Sequence, residues 1–337
     1  MIMSYKKPTI KSKNFHNFKK KLPSMENKTI LITGTTTGTG FVAAQTVAEL
    51  GAKLIMLNRP SERSKTAQSK IIEKSPKKEV YTIDCDLQSF SSVRKAIEKI
   101  IEKCPEGIDV ICNNAGVMAL TDIATEDGFD IQMQTNHLSH FLLVCDLFKL
   151  LEKTAEEKGE SRIVNHSSVA RLTVKKLRKE YLEKNGGNLG GNGKSMIFGG
   201  ARWKRYGQTK LANAAFTAAL HEKLMKKGSK IKALVAHPGL SNTQLQVTTI
   251  KDGGMAKKMT RFMMKRSQSE EDGAIGILSC ICLPEAKSGQ FWGPGKGMMA
   301  MKGKAKPFKL ENSYNNFKTI TLLWEKSCEA IGKEFII

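Results

Sequence analysis

The chain has 337 residues, 40% of them hydrophobic, and a formal net charge of +23. Its length and apolar content suffice for a buried core, which excludes a chain that is disordered throughout. The longest apolar runs, such as GAIGILSCICL near residue 280, are shorter than the roughly 20 residues that a membrane-spanning helix needs.

Seven cysteines are scattered along the chain, without the paired spacing of a metal site or the density of a disulfide-stapled domain. We expect them to be small buried core residues in a reducing compartment. The sequence therefore predicts an intracellular protein without a bound metal, and the cytoplasm is the simplest location.

The positive charge raises the question of an anionic partner. Lysine is spread over the whole chain, with no zinc pattern, aromatic RNA-binding motif or heptad-linked basic region. We therefore expect a solvated lysine-rich surface and no nucleic-acid partner, and an acidic membrane surface stays open.

Residues 1–27 concentrate the charge, with seven lysines and no acid before Glu26. This composition predicts a basic, disordered tail. It lacks the apolar core of a secretory signal, and organelle targeting by this tail stays open.

From Lys28 onward, short apolar runs alternate with helical segments. The runs are KTILITG, AKLIMLN, EVYTIDC, IDVICNN, SRIVNHS and IKALVAH. Such alternation predicts parallel strands joined by helices, because right-handed crossovers are the low-energy connection between parallel strands. No repeat or linker interrupts the pattern, so we predict one doubly wound α/β domain over residues 28–300.

The first predicted strand ends in the turn TGTTTGTG, and a helical segment follows. Gly34 permits a tight bend, Gly38 lets a phosphate approach the backbone, and Gly40 lets the helix pack closely on the strand. The N-terminus of that helix offers free amide groups and a favourable dipole to a pyrophosphate. The predicted dinucleotide contacts in this turn are Gly34, Thr36, Thr37, Gly38, Thr39 and Gly40.

The second predicted strand ends in Asn58, followed by Arg59. Sites that prefer NAD place an acidic residue here, about 20 residues beyond the glycine turn. The forked guanidinium of an arginine can instead bind a 2′-phosphate, so the sequence favours NADP(H) over NAD. An ordinary surface role for Arg59 is the alternative.

Three further motifs follow in order: NNAG at Asn113–Gly116, TNHLSHFLL around Asn136, and RIVNHSS with a later Y-x-x-x-K pair at Tyr206 and Lys210. With the T-G-x-x-x-G-x-G turn, they resemble the short-chain dehydrogenase/reductase family from about Lys28 to about Gly297. The resemblance implies a Rossmann fold with a parallel sheet of about seven strands and flanking helices. It also implies cofactor contacts at Asp86, Leu87, Asn114, Ala115, Gly116, Tyr206, Lys210, Pro238, Gly239 and Thr243.

Carbonyl reduction requires a proton donor and a group that holds the oxygen. Tyr206 can donate the proton if its pKa is brought towards neutrality. Lys210 lies one helical turn later, where its ammonium stabilises a phenolate and can reach the nicotinamide ribose. Ser168 can polarise the carbonyl through a hydrogen bond. By resemblance, Ser168 rather than its neighbour Ser167 is catalytic, and Asn136 anchors a water that passes protons to the lysine.

Two segments are predicted to form the substrate side of the site. Residues 169–205 make a longer loop than is usual in the family, and its NGGNLGGNG run predicts mobility at the mouth. Residues 240–268 contain four methionines near helical spacing that cover an apolar pocket, pack in the core or form a membrane-surface patch: Met255, Met259, Met263 and Met264.

Residues 301–337 are predicted to be a C-terminal extension with one helix. Its apolar residues at helical spacing, Phe317, Ile320, Leu323 and Trp324, pack against the body or against a second subunit. A homodimer therefore stays open.

Within the family, the long loop before Tyr206 and the Asn58–Arg59 pair resemble the retinol dehydrogenase and WW-domain oxidoreductase-like branch, close to the protochlorophyllide reductases. The resemblance implies an NADP(H)-dependent oxidoreductase that interconverts a hydrophobic aldehyde or ketone with its alcohol. Two alternatives stay open: C=C reduction like that of the pigment reductases, against which the NNAG motif argues, and an NADP-sensing or scaffold protein without turnover. Peripheral membrane contact also stays open.

Overall fold

The computed structural model describes residues 8–193, 199–294 and 301–337. Within these residues the strands form one sheet, whose members are β1 (Thr29–Thr33), β2 (Lys53–Asn58), β3 (Val80–Asp84), β4 (Val110–Asn113), β5 (Ser161–His166), β6 (Ile231–Ala236), β7 (Gln290–Gly293) and β8 (Lys306–Lys309).

The α-helices of the described residues are α1 (Phe15–Lys19), α2 (Gly38–Glu49), α3 (Glu62–Lys74), α4 (Phe90–Lys103), α5 (Ile131–Met133), α6 (Ser139–Lys158), α7 (Gly200–Lys227), α8 (Gln244–Lys251), α9 (Lys257–Lys265), α10 (Glu270–Cys282) and α11 (Phe317–Ile331). A π-helical turn, Gln134–Leu138, joins α5 to α6, and 3₁₀ turns lie at Val169–Thr173 and Lys179–Tyr181. None of the described helices is long and apolar enough to cross a membrane.

The strands follow the spatial order β3-β2-β1-β4-β5-β6-β7-β8, and every neighbouring pair is parallel except β7 with β8. The predicted doubly wound α/β fold is confirmed, with the antiparallel β8 added to the predicted set of about seven strands. Chain order reverses between β1 and β4, which opens a crevice at the carboxyl ends of the strands.

Helices cover both faces of the sheet, which explains why the strands are continuously apolar. Because side chains alternate along a strand, Ile30 and Ile32 of β1 pack in the layer of α2, α3 and α10, whereas Leu31 packs in the layer of α4, α6, α7 and α11. All seven cysteines are free, and six of them are buried, which confirms the core role predicted for most of them.

The N-terminal segment corrects the prediction of a disordered tail. Residues 15–19 form α1, and the buried carboxylate of Asp272 in the first turn of α10 holds the chain just before it. Asp272 accepts hydrogen bonds from the Ser12 hydroxyl at 2.8 Å and from the backbone N–H groups of Lys13, Asn14 and Phe15 at 2.9 to 3.0 Å. The lysine-rich composition of the segment gave no sign of this contact, because Asp272 lies far away in the sequence. Residues 1–7 are outside the described residues.

The C-terminal extension packs on the body of the domain. This was one of the two alternatives predicted from the sequence. Leu323 and Trp324 of α11 are buried, and the Trp324 ring stacks on Phe335 with centroids 4.9 Å apart. Phe317 is 80% exposed. The boundary predicted at residue 300 needs correction, because β8 belongs to the extension and yet completes the sheet.

Replacing Asp272 with Ala is expected to release the N-terminal segment, because three backbone N–H groups lose a charged acceptor. The free energy of unfolding should fall by about 1.5–3 kcal/mol, and trypsin should cleave sooner at the lysines among residues 11–21. Glu271→Ala, with the same charge change one residue away, is the control. Equal cleavage of Asp272→Ala and the wild type would contradict this role.

Candidate active site

A cavity of about 320 Å³ opens at the carboxyl edge of the sheet, between the ends of β1, β4, β5 and β6. All but one of the predicted catalytic and cofactor-binding residues line it. These residues are Gly34, Thr36, Thr37, Gly38, Thr39, Gly40, Asn58, Arg59, Asp86, Leu87, Asn114, Ala115, Gly116, Ser168, Tyr206, Lys210, Pro238, Gly239 and Thr243. The exception is Asn136.

The glycine turn is shaped to accept a phosphate group. Gly34 and Gly38 have φ values of +70° and +67°, which side chains rarely allow. The N-cap residue of α2, Thr37, makes no side-chain hydrogen bond to the first turn of the helix, so its leading amides are not capped by that side chain. Backbone amides and a helix dipole without a capping group fit the pyrophosphate of a nicotinamide dinucleotide.

Asn114 joins the glycine turn to the end of β4. Its Nδ2 donates to the carbonyls of Thr33 at 2.9 Å and Gly34 at 3.1 Å, and its Oδ1 lies 3.0 Å from Nδ1 of His166 on β5. A Cβ on Gly40 would overlap both Nδ2 of Asn114 and the Gly34 carbonyl oxygen. Gly40 is therefore required by the contact of Asn114 with the glycine turn, as well as by the packing of α2.

A second network reaches Asn136 from the same strand end. The Thr33 hydroxyl oxygen accepts the N–H groups of Asn114 and Ala115 at 3.0 and 2.9 Å, so its own proton goes to Nε2 of His140 at 2.9 Å. Nδ1 of His140 then donates to the Asn136 carbonyl at 3.1 Å. Burial lowers the pKa of His140 to about 4, so the ring is neutral, as this bonding pattern requires.

Asn136 lies behind the cavity wall. Its side chain is fully buried in the π-helical turn, accepts the Val117 N–H at 2.7 Å and donates to the Thr209 hydroxyl at 2.9 Å. A Cβ on Gly116 would come within 3.0 Å of its Oδ1 and 3.4 Å of Nζ of Lys210. The structure therefore places Asn136 beside Lys210 but separated from the cavity by Gly116.

At the end of β2, the two residues predicted to contact the cofactor, Asn58 and Arg59, differ in their surroundings. The Asn58 amide is buried and committed to Thr35 and Ser64: its Oδ1 accepts the Thr35 N–H at 2.8 Å, and its Nδ2 donates to the Ser64 hydroxyl at 3.2 Å. Asn58 therefore supports the turn. Arg59 and Arg63 line the same cavity, and neither guanidinium has a hydrogen-bond or ion-pair partner among the described residues.

Tyr206 and Lys210 are both buried on α7. Burial raises the pKa of Tyr206 to about 12, which a hydrogen bond with the Ser168 side chain opposes, and burial lowers the pKa of Lys210 to about 8. Nζ of Lys210 lies 5.7 Å from the centre of the Tyr206 ring and donates to the His166 carbonyl at 3.0 Å. In the protein alone, Tyr206 is therefore a phenol at neutral pH.

Ser168 is held by the C-terminal extension. Arg171 binds Glu311 through two hydrogen bonds of 2.8 Å and donates to the Ser168 carbonyl at 3.0 Å. Ser167, which the resemblance leaves out of the catalytic set, donates to the Lys210 carbonyl at 2.7 Å and so supports the backbone. Chain elements more than 100 residues apart therefore position the serine.

The glycine run predicted to be mobile, within the loop over residues 169–205, is held by hydrogen bonds to other parts of the chain. Asp122 accepts the N–H groups of Gly187, Leu189 and Gly191 at 2.8 to 3.2 Å, and buried Arg205 donates to two carbonyls of the same run. This glycine run does not line the cavity. Residues 194–198 of the loop are outside the described residues.

Residues 240–268 do line the cavity and make its apolar side. Met255, Met263 and Met264 face it, together with Leu245 and with two residues that the sequence analysis missed, Met118 and Trp203. Trp203 packs edge-on against Tyr206, with ring centroids 5.8 Å apart.

Helical spacing could have revealed Trp203, which lies three residues before Tyr206 on α7. Arg63, the second residue of α3, was also missed by the sequence analysis. Nothing in the sequence pointed to Met301, whose carbonyl accepts the Leu240 N–H at 2.6 Å from across the fold.

The sequence profile described as short chain dehydrogenase matches residues 28–181. The chain is 32% identical over 241 residues to Short-chain dehydrogenase TIC 32 A, chloroplastic, of Brassica napus, which covers 70% of this chain and 71% of that protein. It is 29% identical over 311 residues to the polyprenol dehydrogenase of Homo sapiens, covering 92% and 87% of the two chains. It is also 29% identical over 307 residues to retinol dehydrogenase 12 of Mus musculus, covering 90% and 86%.

Among solved structures, an uncharacterized protein from Mycobacterium paratuberculosis superimposes with a TM-score of 0.71 at 28% identity, covering 98% of this chain and 100% of that one. A Rossmann fold whose phosphate-accepting turn faces a buried tyrosine and lysine defines a nucleotide-binding oxidoreductase that acts on alcohols or carbonyls. The chain belongs to the short-chain dehydrogenase/reductase family, as the motifs predicted, and its similarity to retinol dehydrogenases is confirmed.

Lys210→Met should change how stability depends on pH. Between pH 8 and 10.5 the unfolded lysine is protonated while the buried one is largely neutral, so the free energy of unfolding of the wild type rises across this window. The methionine variant lacks this rise, and its stability relative to the wild type should therefore decrease from pH 8 upward in urea titrations. Lys70→Met, on the exposed face of α3, should show a constant difference. A constant difference for Lys210→Met as well would refute the lowered pKa.

Proposed function

We propose that this protein is an NADP(H)-dependent oxidoreductase that interconverts a hydrophobic aldehyde or ketone with its alcohol. The observation that carries the proposal is the meeting, in one cavity, of the buried Tyr206–Lys210 pair with an apolar wall that includes Met118, Trp203 and Met255. The polar half of the cavity suits the cofactor, and the apolar half suits the body of the substrate.

Bound nicotinamide would supply or accept the hydride. Ser168, fixed by Arg171, donates a hydrogen bond to the substrate oxygen and polarises the carbonyl. Tyr206, a phenol at neutral pH in the protein alone, gives its proton to the developing alkoxide. The Lys210 ammonium lowers the cost of the resulting phenolate. Asn136 donates a hydrogen bond to Thr209 of α7, the helix that carries Tyr206 and Lys210. This contact keeps the backbone near Lys210 in place.

The proposed substrate is apolar because its side of the cavity offers methionine, leucine and indole surfaces. Methionine adapts its shape to irregular apolar ligands. The relatives named polyprenol dehydrogenase and retinol dehydrogenase 12 are named for apolar alcohols, which supports this class of substrate.

The preference for NADP(H) rests on two arginines at the end of β2. Arg59 and Arg63 both face the cavity next to the N-cap residue of α3, Ser61. Two guanidiniums there and no carboxylate in the place of Asn58 favour a 2′-phosphate over a free ribose hydroxyl.

Nucleotide binding can be measured by fluorescence titration with NADPH and NADH. We expect tighter binding of NADPH by the wild type, and an affinity for NADPH about tenfold lower or worse in Arg59→Ala/Arg63→Ala, because hydrogen bonds to charged groups contribute about 1.5–3 kcal/mol. NADH affinity should change little. Lys70→Ala, on the same helix but outside the cavity, is the control. Equal losses for both nucleotides would overturn the arginines' proposed role.

Tyr206→Phe tests the chemistry itself, with a panel of apolar aldehydes and ketones and NADPH. The variant should bind NADPH normally and turn over about 10²- to 10⁴-fold more slowly, the usual contribution of a general acid. Tyr181→Phe removes a buried phenol outside the cavity and should retain activity. Wild-type protein that binds NADPH but reduces no carbonyl would favour a sensor or scaffold, and turnover of conjugated C=C bonds alone would favour the pigment-reductase alternative.

A further inference from the structure

Helix α9, which contributes Met263 and Met264 to the cavity, also carries an exposed apolar pair. Met259 is 43% exposed and Phe262 is 56% exposed, and their spacing of three residues places them on one face. The guanidinium of Arg266 lies over the Phe262 ring, 3.8 Å from its centre. Together they form a small apolar patch, and an apolar patch rimmed by polar residues is a mark of an interaction surface.

The same helix is strongly basic. Five exposed cations lie on it or directly after it, and α9 itself contains no acidic residue: Lys257, Lys258, Arg261, Lys265 and Arg266. Long basic side chains can extend from an apolar face to the headgroups of a bilayer while their stems contact the acyl boundary. The positive charge of the helix favours a negatively charged surface. The exposed apolar pair favours a surface with a hydrocarbon layer beneath its headgroups.

The opposite side of α9 belongs to the cavity. Met264 is fully buried, and both Met263 and Met264 line the cavity that contains Tyr206. The polypeptide on either side of α9 is anchored: Asp252 accepts the Thr121 N–H and binds Arg202, and Gln268 donates its N–H to the Leu240 carbonyl. The position of α9 at the surface is therefore fixed by contacts on both of its sides.

The length of α9 determines how it can meet a membrane. Nine residues extend about 13 Å, less than half of the roughly 30 Å hydrocarbon core, so this helix can only lie in the interface. A short, basic, amphipathic helix with an aromatic on its outer face is the pattern of interfacial binding to anionic lipid.

We propose that α9 docks the protein on an anionic phospholipid surface, with Met259 and Phe262 inserted between headgroups and the basic residues paired with lipid phosphates and carboxylates. The docked helix places the cavity next to the bilayer. A membrane-dissolved substrate then reaches Tyr206 without crossing water. The docking stands on its own, whereas this substrate route rests on the proposed function.

Cosedimentation with phosphatidylcholine vesicles, and with vesicles of equimolar phosphatidylcholine and phosphatidylserine, tests the docking without any substrate. The wild type should bind the anionic vesicles and not the neutral ones, and added salt should weaken binding. Met259→Ser/Phe262→Ser should bind at least about tenfold more weakly, from the lost apolar burial. Met225→Ser/Phe317→Ser is the matched control, because these side chains are exposed elsewhere, on α7 and α11, and it should bind like the wild type.

A second pair of variants separates local charge from total charge. Lys257→Gln/Lys258→Gln/Arg261→Gln should weaken vesicle binding about 100-fold, since each basic residue near the surface contributes about 1 kcal/mol. Lys70→Gln/Lys95→Gln/Lys99→Gln lowers the net charge equally on α3 and α4 and should have a much smaller effect. Equal losses in both triple variants would overturn the proposal, as would wild-type protein that leaves anionic vesicles in the supernatant.

Two further readouts distinguish docking from catalysis. NADPH titration of the α9 variants should match the wild type, which excludes misfolding as the cause of lost vesicle binding. Tyr206→Phe should bind vesicles normally. If the proposed activity fails but vesicle binding follows the α9 variants, the docking stands without the reductase. Should vesicle binding fail while carbonyl turnover persists, the reductase stands without the docking.

Discussion

The close approach of the ends of β1 and β4 is the constraint on which the site depends. Asn114 can bind the carbonyls of Thr33 and Gly34 only because Gly40 has no side chain, and the Thr33 hydroxyl is thereby placed to accept two N–H groups of the next strand end. From there the hydrogen bonds continue through His140 to Asn136. One packing contact therefore sets both the geometry of the glycine turn and the position of Asn136 beside Lys210.

The electrostatics of the site follow from burial. Removing Tyr206 and Lys210 from water favours the neutral form of each, so the protein alone keeps a protonated phenol beside a lysine whose pKa is lowered. Arg59 and Arg63 line the same cavity near the end of β2. The Tyr206–Lys210 pair and the two arginines thus line one cavity, and the proposed binding of NADP(H) and an apolar substrate depends on this arrangement.

Elements near the C-terminus complete what the first part of the chain begins. Glu311 fixes Arg171 and through it Ser168, while Met301 contacts Leu240 at the rim of the apolar half. The helix that closes this half, α9, is apolar towards the cavity and basic towards the outside. The proposed membrane docking and the proposed apolar substrate therefore concern two faces of one short helix.

The sequence by itself determined the alternating fold, the glycine turn and the residues that meet at the cavity, because strand periodicity, glycine spacing and the Y-x-x-x-K interval are local properties of the chain. It also left a clue to Trp203 in helical spacing. Only the tertiary structure decided that Asn58 supports the turn, that Asp122 and Arg205 hold the glycine-rich loop away from the cavity, and that Asp272 orders the N-terminal segment. These roles arise from contacts between residues that the chain separates by about 15 to 260 positions, which no local pattern encodes.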